Sequence, residues 1–450
     1  MPANYVLLER ITTISNVASV VFDNIPQTGY TDLKLVASSR QSTASIASDV
    51  TVNFNGTSAN NFNKFLYGDS ASVGTGTDGY GPTRNYFSIG TANNATANTF
   101  GSVEMYIPNY TSSNQKTFSI DSVGENNGTT SVFQLMVAGR WADTAAITSI
   151  ALTPVTSALF LTNSEFSLYG IAATGTTPVI APKASGGDII ETNGTYWFHT
   201  FLGSGTFIPN QNLSCDYLVV AGGGGGGGGL GGGGGAGGFR TGSSLSLTQS
   251  TNYAVTIGAG GAAGSPSALV TGSVGANSTF ASITSSGGGG GAGSNPGAPT
   301  TGGSGGGGTY NKTTGAAGNS GGYSPVEGYA GGTGFAANPN FGGGGGGGAS
   351  AIGGTYVVGV GAGVGGAGTA SSISGTSVTY AGGGGGCFQM GTGAGGLGGA
   401  GGGGNGGNSN SSGVETQVAT SGTANRGGGG GSGYTAGAGG SGIVIVRYAV

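Results

Sequence analysis

Ionisable side chains are scarce in this chain of 450 residues, which has 12 Lys and Arg, 16 Asp and Glu, and one His. Charged residues make up 6% of it, against about 25% in an ordinary globular domain. A formal charge of −4 and an isoelectric point near 4.9 provide no basic surface. Long-range attraction to nucleic acid or to an anionic membrane is therefore excluded as the basis of function. One His and two Cys also remove most zinc sites, thiol chemistry and imidazole acid–base catalysis. Cys215 and Cys387 lie far apart without a CxxC motif and read as two free, buried thiols rather than a disulfide, leaving the redox compartment open. Apolar runs are short as well. Tyr5 to Leu8 and Ala18 to Phe22 fall well below a signal-peptide core, and nothing approaches the ~20 apolar residues of a membrane span. The expectation is a protein with neither signal peptide nor transmembrane segment, released by a route such as host lysis.

Glycine is what the chain has in excess, with 107 residues. Thirteen fall in residues 1–172 and 94 in residues 173–450, so composition steps sharply between two parts. Ala172 to Gly187 runs AATGTTPVIAPKASGG, and residues 173–187 read as a linker.

Residues 1–172 alternate apolar and polar side chains in short runs. Val52 and Phe54, Phe118 and Ile120, Val103 with Met105 and Ile107, and Phe166 with Leu168 all follow this two-residue period. That pattern puts one face of a strand on a core and the other in water. About ten such runs, punctuated by turn-rich stretches at Gly74 to Pro82 and Glu125 to Thr130, predict an antiparallel β-sandwich of jelly-roll type with no helix. Trp141 is expected in its core.

The second part, residues 188–450, opens with strand-like segments over residues 188–220 and closes with Ile443 to Tyr448 (IVIVRY). The strands Cys215 to Val220 (CDYLVV) and Ile443 to Tyr448 bracket the glycine region and are expected to pair, closing a small sheet around residues 221–442. Uninterrupted glycine runs in between, such as 222–229, 231–235 and 342–348, alternate with segments bearing Phe and Tyr. Flexible linkers are depleted in aromatics, so an ordered structure is expected. The extended left-handed threefold helix suits it, because its backbone N–H and C=O groups point sideways and only glycine permits close lateral packing. The runs are too irregular for a collagen Gly-X-Y repeat.

Cys215 to Phe239 (CDYLVVAGGGGGGGGLGGGGGAGGF), the turn Tyr253 to Gly261 (YAVTIGAGG) and the terminal Gly439 to Tyr448 (GGSGIVIVRY) resemble the glycine-rich domains at the ends of bacteriophage tail fibres and adhesins. The resemblance spans Gly186 to Val450. Residues 1–172, ending in FSLYGI, are more weakly similar to β-domains found beside such regions in virion proteins. The resemblance implies a bundle of polyglycine II helices whose connecting loops recognise a bacterial surface receptor. It also implies partners among tail or capsid proteins, a glycan or outer-membrane protein as receptor, and a homo-oligomer with a trimer as the favoured symmetry. A head-decoration fibre or other appendage without a receptor is the alternative.

Catalytic readings are weaker. Gly258, Gly260 and Ala263 fit GxGxxA, but Pro266 and β-branched residues follow in place of a helix start, and Lys312 is not a Walker lysine. The glycine region offers only Glu327 and Glu415 as a carboxylate pair for glycoside hydrolysis. His199 lacks a nucleophile motif and reads as a half-buried strand residue. Neither enzyme activity nor a cofactor is expected. Ice binding would need regular Thr faces that the irregular runs do not supply. The candidate receptor residues are those of the Thr309 to Phe341 segment, Tyr310, Lys312, Tyr323, Glu327, Tyr329 and Phe335, with Phe388, Glu415 and Arg426 from Cys387 to Leu397 and Asn405 to Arg426. Rigid rings among small polar residues is a composition that binding surfaces use. Some of these rings are equally expected to cover the sides of a bundle that has no side chains for a core.

Overall fold

The structure is a computed structural model that describes residues 5–57, 61–68, 73–78, 86–124, 126–127, 133–172, 182–265, 270–294, 297–310, 314–337, 340–358, 360–389, 393–410 and 414–450. Those residues are all-β, with no helix among them. Most of the expected linker, 173–181, lies outside the described residues. The chain divides into two compact units. One comprises Met1–Lys183, Asp188–Phe198 and Ala449–Val450, the other Ala184–Gly187 and His199–Tyr448.

The first unit contains β1 (Tyr5–Thr12), β2 (Val20–Phe22), β3 (Tyr30–Ser39), β4 (Ala47–Phe54), β5 (Asn61–Gly68), β6 (Val73–Asp78), β7 (Tyr86–Thr91), β8 (Gly101–Ile107), β9 (Lys116–Gly124), β10 (Phe133–Trp141), β11 (Ile150–Pro154) and β12 (Glu165–Ala172). After β13 (Ala184–Ser185), which clusters with the second unit, β14 (Ile189–Thr192) returns to the first. Neighbours run β14-β1-β12-β3-β8-β9-β10-β5-β6 in one sheet and β2-β11-β4-β7 in another. The two-residue period is obeyed closely, with β8 and β9 alternating buried and exposed along their whole length. Phe54, Val52, Leu35, Met105, Phe118 and Trp141 from both sheets join one core. Trp141 is 1% exposed and lies 5.5 Å from Phe54, ring to ring.

One turn expectation is corrected. Gly74 to Asp78 belong to β6, an edge strand paired with β5, with Gly76 opposite Phe65 and Gly74 opposite Tyr67. A Cβ at Gly76 would sit 2.2 Å from the Phe65 ring, so here glycine makes room for a cross-strand aromatic. Gly79 to Pro82 lie outside the described residues, as do Glu125 and Gly128 to Thr130.

β15 (Tyr196–Phe201) is shared, its first three residues clustering with the first unit and the rest with the second. In the second unit β16 (Gly205–Pro209) and β17 (Leu213–Val220) precede the glycine runs, and β18 (Phe239–Leu247) follows the first two of them. β17 pairs antiparallel with the last strand, Ile443–Ala449, from Asp216 opposite Arg447 to Val220 opposite Ile443. The Arg447 guanidinium meets Asp216 Oδ2 at 3.0 Å. β17 and the last strand thus clamp the chain that runs between them.

The runs themselves bond sideways with a three-residue period. Gly222, Gly225 and Gly228 donate to Ala276, Ser273 and Val270, while Gly223 and Gly226 donate to Gly440 and Gly437, and Gly224 and Gly227 to Gly235 and Gly232. The carbonyls follow the same period. Those of Gly222, Gly225 and Gly228 accept from Gly288, Gly291 and Ser294, those of Gly223 and Gly226 from Gly261 and Gly264, and those of Gly224 and Gly227 from Gly430 and Gly433. The run is surrounded by other segments and every backbone group from Gly222 to Gly228 is used, as burial away from water requires. Glycine is obligatory in such a place, since a Cβ at Gly226 would lie 2.1 Å from the Gly431 carbonyl oxygen.

Candidate functional site

A lattice whose N–H and C=O groups are consumed internally leaves chemistry to the segments that connect its runs. The structure joins several of them in a small sheet ordered Phe335–Ala337, Asn340–Gly342, Phe388–Gln389, Asn408–Ser409 and Glu415–Gln417. Phe335 lies opposite Gly342, and Gly342 opposite Phe388. With glycine in the middle strand, a gap opens between two phenylalanines. The Tyr356 ring fills it, stacked on Phe335 at 5.1 Å and on Phe388 at 6.3 Å between centroids. Three segments distant in sequence are thereby fixed at one place, and burial raises the Tyr356 hydroxyl pKa.

The other candidate residues are spread through the unit. Half-buried Tyr310 packs edge-on against Phe341 at 5.2 Å, and the Arg240 guanidinium covers the Tyr323 ring at 3.9 Å. Tyr329 is exposed, while its backbone belongs to the lattice through Gly348 and Gly305. Glu415 accepts from the Thr435 amide at 3.0 Å, and Arg426 donates to the Thr379 carbonyl at 3.0 Å beside the Tyr380 ring. Lys312 lies outside the described residues.

Glu327 has no exposed surface. Its Oε2 accepts from the Ser286 amide at 2.9 Å and its Oε1 from the Gly321 amide at 3.3 Å, while its own carbonyl accepts from Phe239. A carboxylate so enclosed ties connecting segments together and presents nothing to an external partner. Phe388, 5% exposed, is likewise internal. Much of the Thr309 to Phe341 segment is lattice rather than free loop, because Gly331 donates to Ala316 and Gly332 to Gly345.

What composition did not single out is the aliphatic fringe beside the stack. Val357, Val358 and Val360 are 50%, 54% and 72% exposed, with Ile352, Val364 and Leu397 also in solvent. Their backbones are held by lattice bonds, Gly354 to Val364 and Gly365 to Leu397. The signal was available in the sequence, since no charged residue or histidine occurs between Glu327 and Glu415. These solvent-facing aliphatics are the candidate contact residues that the structure adds.

Glycine runs clamped between β17 and the last strand are the features that comparison with known families recognises, over residues 200–449. The chain belongs to the glycine-rich domain family. No curated protein matches it. This glycine-rich domain keeps both cysteines, Cys215 and Cys387, free and buried, and burial pushes each thiol up to about 12. Among the described residues no helix is long and apolar enough to cross a membrane.

Proposed function

We propose that this chain is a non-enzymatic bacteriophage virion protein, a tail fibre or adhesin whose glycine domain binds a host surface receptor through the segments connecting its runs. The first unit, a β-sandwich of jelly-roll type in this reading, serves attachment or assembly among tail or capsid proteins. The glycine runs are polyglycine II helices. Their three-residue bonding period supports this, as does the confinement of positive φ in the run 222–229 to its last residue, Gly229. A homotrimer is the symmetry proposed.

The observation that carries the reading is the Phe335–Tyr356–Phe388 stack, which gathers three connecting segments on a rigid base and sets exposed valines beside them. Such a platform suits recognition, because binding costs less when the contact residues are already ordered. Glu327 and Glu415, the carboxylates a hydrolase would need, already accept backbone N–H bonds.

Immunogold labelling of intact virions with an antibody to this chain tests the assignment. Label at the tail tip, together with blocked adsorption by the antibody, is expected. Label on the capsid would replace the adhesin by a head-decoration fibre.

A further inference from the structure

In the first unit β14 lies along the edge of β1 with Glu9 opposite Glu191, Arg10 opposite Ile190 and Ile11 opposite Ile189. Directly opposed residues of an antiparallel pair hold their Cβ atoms about 4.5–5.5 Å apart, and like charges there oppose pairing. Glu9 is buried and Glu191 half-buried, and the field of Asp23, just after β2, reaches both. Arg10 follows Glu9 in β1 and so projects from the other face. The remaining charged groups of the adjoining strands are Glu165, opposite Thr12 on β12, and Asp188, whose carbonyl accepts from the Thr12 amide at 2.9 Å. Among the described residues no ion pair forms with either glutamate, and no three His, Cys, Asp or Glu side chains are placed to hold a metal. Protonation of one carboxyl relieves the repulsion between two opposed carboxylates.

We propose that Glu9 and Glu191 form a pH-operated latch, closed at acidic pH, that holds β14 on β1 and releases it as the pH rises through neutrality. Burial, helped by Asp23, raises Glu191 to about 7, and burial with Glu191 and Asp23 raises Glu9 well above the ordinary carboxyl range. A group whose folded pKa is raised favours the folded state while protonated. The contribution is therefore complete below the ordinary value of 4.5 and is lost as pH climbs from there through 7. Release frees the main chain of Glu9 to Thr12, giving β1 an open edge able to accept another strand.

Hydrogen exchange of the full chain between pH 5 and 8.5, corrected for intrinsic rates, tests the latch at the Thr12 amide. For the native chain, opening is expected to rise on the order of 100-fold across this range, as a shift from 4.5 to about 7 dictates. Glu191→Gln, and separately Glu9→Gln, should flatten that dependence while exchange in the β9–β10 pair stays unchanged. Protection independent of pH in the native chain would overturn the proposal. So would an undiminished pH slope in both glutamine variants. Either variant suffices if the other fails to fold.

Discussion

The Tyr356 ring lies directly on Gly342, so closely that a Cβ at position 342 would be 2.1 Å from its Cδ2 atom. Gly342 is flanked in register by Phe335 and Phe388, and the missing side chain is what admits Tyr356 between them. Gly342→Ala must therefore expel the ring or push the strands apart. Overpacking of this kind costs about 1–3 kcal/mol, and each lost aromatic pair about 0.5–1.5 kcal/mol more. Chemical denaturation should show that loss with the β17 pairing intact, and near-ultraviolet circular dichroism should show the stack gone. An unaltered aromatic signal would mean that the stack tolerates a methyl group.

A second dependence runs through His199, whose Nδ1 faces the Gly186 carbonyl at 2.6 Å and whose Nε2 faces Tyr448 Oη at 2.8 Å. A carbonyl can only accept, so Nδ1 carries a proton, and in the neutral imidazole Nε2 then accepts from the tyrosine hydroxyl. Both side chains are buried. Tyr448→Phe keeps the ring packing against Phe207 and removes the donor, leaving a buried acceptor unpaired at a cost of about 1–3 kcal/mol. Urea unfolding of the variant checks the figure. His199→Phe with Tyr448→Phe should not restore stability, because the Gly186 carbonyl then loses its Nδ1–H donor.

Much of this architecture can be read from the amino acids alone, for a physical reason. Alternation at Phe118 and Ile120 or Val52 and Phe54 reports a sheet face directly, and a glycine run bracketed by CDYLVV and IVIVRY reports two strands that must close on each other. Gly74 and Gly76 misled because an edge strand that lodges cross-strand rings uses the same residue as a turn. The site was only partly legible. Its aromatics were visible, but whether a ring faces solvent depends on which distant glycine lies beneath it, as Gly342 lies beneath Tyr356. Glu327 stands out as a rare charge, and nothing local to it reveals that the Ser286 and Gly321 amides enclose it.

The thiols offer a probe of the whole fold. Cys215 and Cys387 are buried and each is pushed up to about 12, so almost no thiolate forms at pH 8 in the folded state. Labelling by a disulfide reagent at pH 8 should be slow and should follow unfolding, with both groups reacting promptly in denaturant. Raising the pH from 8 to 9 should accelerate the denatured chain only about three- to six-fold, because its thiols are then approaching full ionisation. Fast labelling without denaturant would show that the strands around Cys215 or the run ending at Cys387 open locally.

Burial and exposure within the connecting segments make opposite predictions for stability and binding. Glu327→Ala strips the acceptor from the Ser286 and Gly321 amides in a place without water, a loss of about 2–4 kcal/mol. Any adsorption defect in that variant should track the fraction unfolded and vanish under conditions that restore folding. Val360→Asp instead alters a side chain that is 72% exposed, where a substitution shifts stability by roughly 0.5 kcal/mol or less. On the proposed function it places a charge in an uncharged contact surface and should reduce adsorption of virions at least tenfold, equal to about 1.4 kcal/mol of binding. Melting temperature and adsorption rate measured on the same preparations separate the two effects. Full adsorption by Val360→Asp would move the receptor contact away from the valine fringe, to the exposed ring of Tyr329 or the neighbourhood of Glu415.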